Sequence, residues 1–185
     1  MIVYTVQKEA AYKLMRKQGY LEGRAELAMF PEAYRWMTGQ MQKRLTNYQG
    51  ECYPIWVWER RVNRNEPALL SSGRGVILTL DIPEEDILWS SFDEWHSILS
   101  ESPITYDEAE WLEFEKKDFP ESEVQATWER LFDYDWLANR PVEWAGDYSK
   151  DWIQGVTTRI RMEQVIRVQR FIPQRRGISK RKRNK

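Results

Sequence analysis

Apolar and polar positions along the chain change period several times, and each change marks an element. Ile2 to Val6 alternates with β-branched and aromatic residues, the period-two signature of a strand. Lys8 to Gln18 switches to helical spacing, with Ala11, Leu14 and Met15 on one face and Gly19 as its stop. From Ala25 to Leu45, the residues Leu27, Phe30, Tyr34, Met37 and Met41 recur at spacings of three and four, which predicts one long helix with Pro31 near its start. Tyr53 to Glu59, YPIWVWE, reads as a strand, and Arg60 to Arg74 as a polar loop. Val76 to Ile82 is apolar almost throughout, so it predicts a central strand covered on both faces. A Pro-Glu-Glu-Asp turn follows, and Ser91 with Glu94 forms a capping box that opens an amphipathic helix. Thr105 with Glu108 repeats the box and Pro120 opens another helix, so Ile104 to Trp136 predicts a helical layer with an acidic outer face. After a loop from Asn139 to Lys150, Val156 to Met162 and Val165 to Ile172 read as strands.

Strands at both ends with helices between them predict the α+β class: a single mixed β-sheet with a helical layer packed on it. The expected organisation is one domain over residues 1–172 and a basic tail over 173–185, without apolar periodicity and expected to be disordered.

Charge sharpens that division. Residues 159–185 hold eleven Lys/Arg and one acid, Glu163, a net of +10, and the preceding residues hold 17 Lys/Arg and 28 Asp/Glu, a net of −11. The tail, with Arg175, Arg176, Lys180, Arg181, Lys182 and Arg183, is expected to meet nucleic acid by counterion release, without reading its sequence. The acidic helices over 105–135 suit a protein partner with a basic face, as in a defence- or phage-related inhibitor that occupies the place of nucleic acid. Both stretches also fit solvated surface. A single cysteine, Cys52, excludes an internal disulfide framework and a Cys-rich zinc site; with one histidine, only carboxylates remain as ligands, and no metal site is expected. No apolar run reaches the length of a membrane span, so the expectation is a cytoplasmic protein with no membrane partner.

Imidazole chemistry must pass through His96, the only histidine. Asp93 stands three residues before it on the same predicted helix and could orient the ring as in a general-base site. The competing assignment is structural: Phe92, Trp95, His96 and Leu99 form an apolar stripe, and Asp93 in the first turn favours the helix dipole by itself. Arg44 lies near the apolar stripe of its helix and calls for an anion, either a structural carboxylate or a phosphate. If a nucleotide is bound, the groups expected around it are Gln7, Tyr34, Gln40, Arg44, Trp56 and His96. No glycine-rich phosphate loop accompanies them, because Gly73-Arg74-Gly75 precedes a strand. Cys52 follows Glu51, whose charge raises a thiol's pKa, so it is expected to be inert.

The blocks YTVQ, AYRWMTGQMQKRL, YPIWVWE, VILTLDIPEEDILWSSFDEWHSIL, TWERLFD and GVTTRIRMEQVIRVQRF occur in that order. Together they resemble an uncharacterised bacterial family of domains of unknown function, number 3841, over Met1 to Ile172, a resemblance that implies no assigned activity. The layout is also similar to small ADP-ribosyltransferase-like domains, which begin with a strand and a helix ending near a Gly-hydrophobic pair, here Gly19-Tyr20, and carry a late glutamate. That similarity implies NAD or another nucleotide as cofactor, with Glu163 as the late glutamate and His96, Asp93 and Gln7 near it. The histidine such domains often carry on the first strand is replaced here by Tyr4, Thr5 and Gln7.

Overall fold

The N-terminal strand organises the molecule, because it pairs on both of its edges. In this computed structural model residues 1–63, 73–149 and 153–173 are described. The elements are β1 (Ile2–Lys8), α1 (Glu9–Gln18), β2 (Tyr20–Leu21), α2 (Pro31–Arg44), β3 (Ile55–Trp58), β4 (Gly75–Asp81), β5 (Ile87–Ser91) and α3 (Phe92–Leu99). They continue with α4 (Glu108–Lys116), α5 (Glu121–Thr127), α6 (Tyr134–Ala138), α7 (Val142–Ala145), β6 (Ile153–Thr157), β7 (Ile160–Arg161) and β8 (Val165–Phe171). Six strands form one sheet in the order β5-β6-β3-β1-β4-β8, and β2 pairs with β7 in a small second sheet. The class is α+β. Every described pairing is antiparallel, which corrects the expected mixture of directions. Antiparallel order fits the connections, because no helix here links two neighbouring parallel strands as a crossover would.

Side-chain alternation gives the sheet two different faces. On one face Val3, Val57, Val76, Leu78 and Leu80 pack with Tyr12 and Met15 of α1. α1 ends at Gly19, whose φ of 88° closes the helix in the left-handed region, and its N–H bonds to the Met15 carbonyl. On the other face Trp56, Leu88 and Val156 meet Met37 and Met41 of α2, Trp95 and Ile98 of α3, and Val124, Trp128 and Leu131 from the helical layer. Gly155 lies opposite Trp89, and a Cβ there would collide with the Trp89 and Ile87 side chains. The strand therefore needs glycine to let the indole lie across it.

Several boundaries differ from the sequence pattern. The helix expected from Ala25 begins at Pro31, after a 3-10 turn at Ala25–Leu27, and Leu27 and Phe30 are exposed instead of joining the stripe. Ile87–Ser91 is a strand, not part of a direct passage from turn to helix. Ser91 does cap α3, its hydroxyl accepting from the Glu94 N–H at 3.4 Å. The cap of α4 is Asp107, which accepts from the Glu110 N–H at 2.9 Å; the Thr105 hydroxyl instead meets the Trp144 indole N–H at 3.3 Å. The run Val156 to Met162 divides between β6 and β7, which belong to different sheets. Val76 to Ile82 is buried along most of its length as expected, although β4 lies one place from the sheet edge. Among the described residues no helix is long and apolar enough to cross a membrane. Residues 174–185 of the basic tail lie outside the described residues.

Candidate functional site

Register across the large sheet aligns one residue from each strand. Ser90 pairs with Gln154, Gln154 with Trp58, Trp58 with Tyr4, Tyr4 with Thr79 and Thr79 with Arg167. Directly paired residues share a face, so these six side chains form a single row across all six strands. The row carries hydroxyls, an amide, an indole and a guanidinium where the neighbouring rows are mostly apolar. At its inner end Ser90 is fully buried and Gln154 is 3% exposed. Neither the Ser90 hydroxyl nor the Gln154 amide nitrogen has a hydrogen-bond partner among the described residues. A buried donor left unmade costs about 1–3 kcal/mol, so stability alone does not account for them.

The middle of the row is aromatic. The Trp58 ring lies 5.2 Å from Phe92, and Phe92 meets His96 edge-to-face at 4.6 Å. His96 sits on the exposed side of α3, and its Nδ1 lies 2.9 Å from the Phe92 carbonyl. A carbonyl oxygen only accepts, so Nδ1 carries the proton and, in the neutral ring, Nε2 keeps its lone pair. The residue that orients His96 is therefore Phe92 one turn back, and Asp93 makes no described bond to the ring.

The outer end of the row opens into a cleft of about 170 Å³. Its polar lining is Tyr4, Arg61, Thr79, Arg167 and Gln169, with Val62, Ile77 and Ile166 supplying the apolar wall. No carboxylate lines it among the described residues. Neither Arg61 nor Arg167 has an ion pair there; Arg16 and Arg74 elsewhere also lack one, whereas Arg24, Arg35, Arg44, Arg130, Arg140, Arg159, Arg161 and Arg170 are paired. A second polar cleft, of about 200 Å³, is built differently. There Arg159 is paired with Glu22 at 2.7 Å and Arg161 with Glu163 at 2.9 Å, and the Asp86 carboxylate accepts from the Asn47 amide at 3.2 Å, so both arginines already have a carboxylate.

The other expected site residues have structural surroundings. Gln40, Lys43 and Arg44 clasp Glu129, at 3.3, 3.3 and 3.4 Å, and Arg44 also lies over the Phe132 ring. The anion that Arg44 meets here is a carboxylate of the protein. Those contacts, the Gln40 amide first, hold the Glu129 carboxyl below its ordinary pKa. Trp56 donates to the Tyr34 hydroxyl at 3.2 Å, and both pack on Trp95 as part of the core. Gln7 shares the α1 face with Thr5, to which its amide donates at 2.9 Å, and so points away from the row. Glu163 lies beside the start of β8, exposed and paired with Arg161. Glu163 makes no described bond to Gln154 or to His96. Burial pushes the Cys52 thiol up, against a weak contact with the Thr158 hydroxyl.

A family model matches residues 2–121. The chain belongs to the DUF3841 family, a domain of unknown function. The match spans β1 to α4 and therefore includes Tyr4, Trp58, Thr79, Ser90 and His96, but it stops before Gln154 and Arg167. It is shorter than the Met1 to Ile172 span expected from the ordered motifs. No curated protein and no solved structure matches the chain. The DUF3841 segment alone thus carries the aromatic middle of the row, while strands outside it supply the buried amide and the outer guanidinium.

Proposed function

We propose that the protein binds a nucleotide along the cross-sheet row, with the base against the Trp58–Phe92–His96 aromatic group. The observation that carries this reading is the buried, unpartnered pair Gln154 and Ser90 in register with Trp58 on one face. Stacking a base on an aromatic side chain contributes about 1–3 kcal/mol. Polar groups at the inner end would then meet the edge of that base. The ADP-ribosyltransferase-like layout makes NAD the first nucleotide to test. His96 offers an unprotonated Nε2 as acceptor or base beside the ligand. Glu163 is paired with Arg161, so the reading rests on binding and not on a carboxylate-assisted transfer.

A protein-partner reading has less support. Glu113 and Glu123 on the acidic helices are answered by Lys116 at 2.7 Å and Lys117 at 2.8 Å, which weakens the field they project. The test is titration calorimetry of the full chain with NAD, ADP and adenosine, repeated with Trp58→Ala. Saturable binding of one nucleotide, lost in the variant, is the expected result. Absence of binding by all three, or binding indifferent to Trp58→Ala, would overturn the reading.

A further inference from the structure

The outer cleft differs from the rest of the surface in one respect that bears on ligand chemistry. Eight arginines among the described residues are answered by a carboxylate, as with Arg130 and Glu110 at 2.7 Å, and four are not: Arg16, Arg61, Arg74 and Arg167. Arg61, from the segment after β3, and Arg167, on the edge strand β8, converge on one cleft with no acid between them. Beside them stand the Tyr4 and Thr79 hydroxyls and the Gln169 amide, all able to donate. A concave site that gathers donors and positive charge, and excludes carboxylates, is complementary to an anion. Two guanidiniums can each bind phosphate oxygens through paired N–H groups. The cleft volume, about 170 Å³, is close to that of a cavity that holds one benzene ring, so it takes a phosphate or diphosphate group and not a whole dinucleotide.

We infer that this cleft is the phosphate pole of the ligand site. The inference rests on the nucleotide reading for the remainder of the ligand. Arg167 and Trp58 stand three strand spacings apart on one face, about 14 Å, which suits a ligand with a base at one end and phosphates at the other. The charge on the ligand accordingly lies at the outer edge of the sheet, and the stacked base lies toward α3. Tyr4 and Thr79, between the two, face the sugar.

The experiment compares adenosine, ADP and inorganic pyrophosphate binding to the full chain by calorimetry, in wild type and in Arg61→Gln and Arg167→Gln. Both substitutions keep a polar side chain of similar reach at positions that are not buried, and circular dichroism checks the fold. ADP is expected to bind more tightly than adenosine. Each substitution should remove about tenfold of that advantage, the effect of one charge-assisted contact, while leaving adenosine affinity unchanged. Equal affinities for adenosine and ADP would overturn the inference and leave the nucleotide reading standing. Pyrophosphate binding that depends on Arg61 and Arg167, without adenosine binding, would support the anion cleft and overturn the nucleotide reading. Failure of all three ligands to bind would overturn both.

Discussion

Arg140 and Glu94 form an ion pair whose side chains are only 10% and 11% exposed, and its removal should be the costliest polar change in the domain. Glu94 lies on α3 two residues before His96, and Arg140 lies between α6 and α7, so the pair ties the histidine-bearing helix to the helical layer. Arg140 also donates to the Thr105 carbonyl at 3.3 Å and lies 5.6 Å from the Trp136 ring. Replacing Arg140 with Met leaves the Glu94 carboxylate buried without its cation, which costs about 3–5 kcal/mol. At about 2–4 °C per kcal/mol for a chain of this size, Tm should fall by about 6–20 °C. The double variant Glu94→Leu with Arg140→Met removes both charges and should return to within about 1 kcal/mol of wild type, since desolvation of the pair offsets most of its Coulomb attraction. The assay is urea unfolding at constant m-value, with calorimetric Tm beside it. A single-variant loss below about 1 kcal/mol, or a double variant no better than the single one, would show that the pair is solvated and the reasoning wrong.

Three further outcomes are expected. Gln154→Leu removes an unpartnered buried donor, so the urea midpoint should rise by the equivalent of about 1 kcal/mol while nucleotide affinity falls; a clear loss of stability would mean that the amide is satisfied in the fold. Glu129 is ionised more readily in the folded state, through its Gln40 and Lys43 hydrogen bonds, so its contribution is present above the unfolded carboxylate pKa and is lost as pH falls through the lower folded value. Unfolding measured from pH 6 down to 2 should therefore show Glu129→Gln with a shallower acid loss than wild type, and superimposable slopes would refute this. Asp107→Ala should cost about 1 kcal/mol by removing the cap of α4, whereas Thr105→Ala should leave that helix terminus capped, a contrast that amide exchange at Glu110 would read.

Local periodicity was enough to predict the α+β class, α1 and its Gly19 stop, the buried strand β4, and Ser91 as a cap. These follow from interactions within a few residues: a 3.6 or 2.0 period, a hydroxyl reaching a nearby N–H, a glycine free to take positive φ. Pro31 and Asp107 also carried a local signal, since proline favours a first helical turn and aspartate a cap, and they outweighed the apolar pattern around Leu27 and the Thr105 box. Tertiary structure decided the rest. Apart from His96, the aromatic and polar residues expected around a ligand divided among the α1 face, the Glu129 clasp and the packed core, where Gln40 and Arg44 meet Glu129 and Trp56 meets Tyr34 across distant stretches of chain. Conversely, Tyr4, Trp58, Thr79, Ser90, Gln154 and Arg167 share no motif and span almost the whole chain. Only the register of six antiparallel strands places them in one row, since pairing joins residues by hydrogen-bond geometry and not by sequence distance.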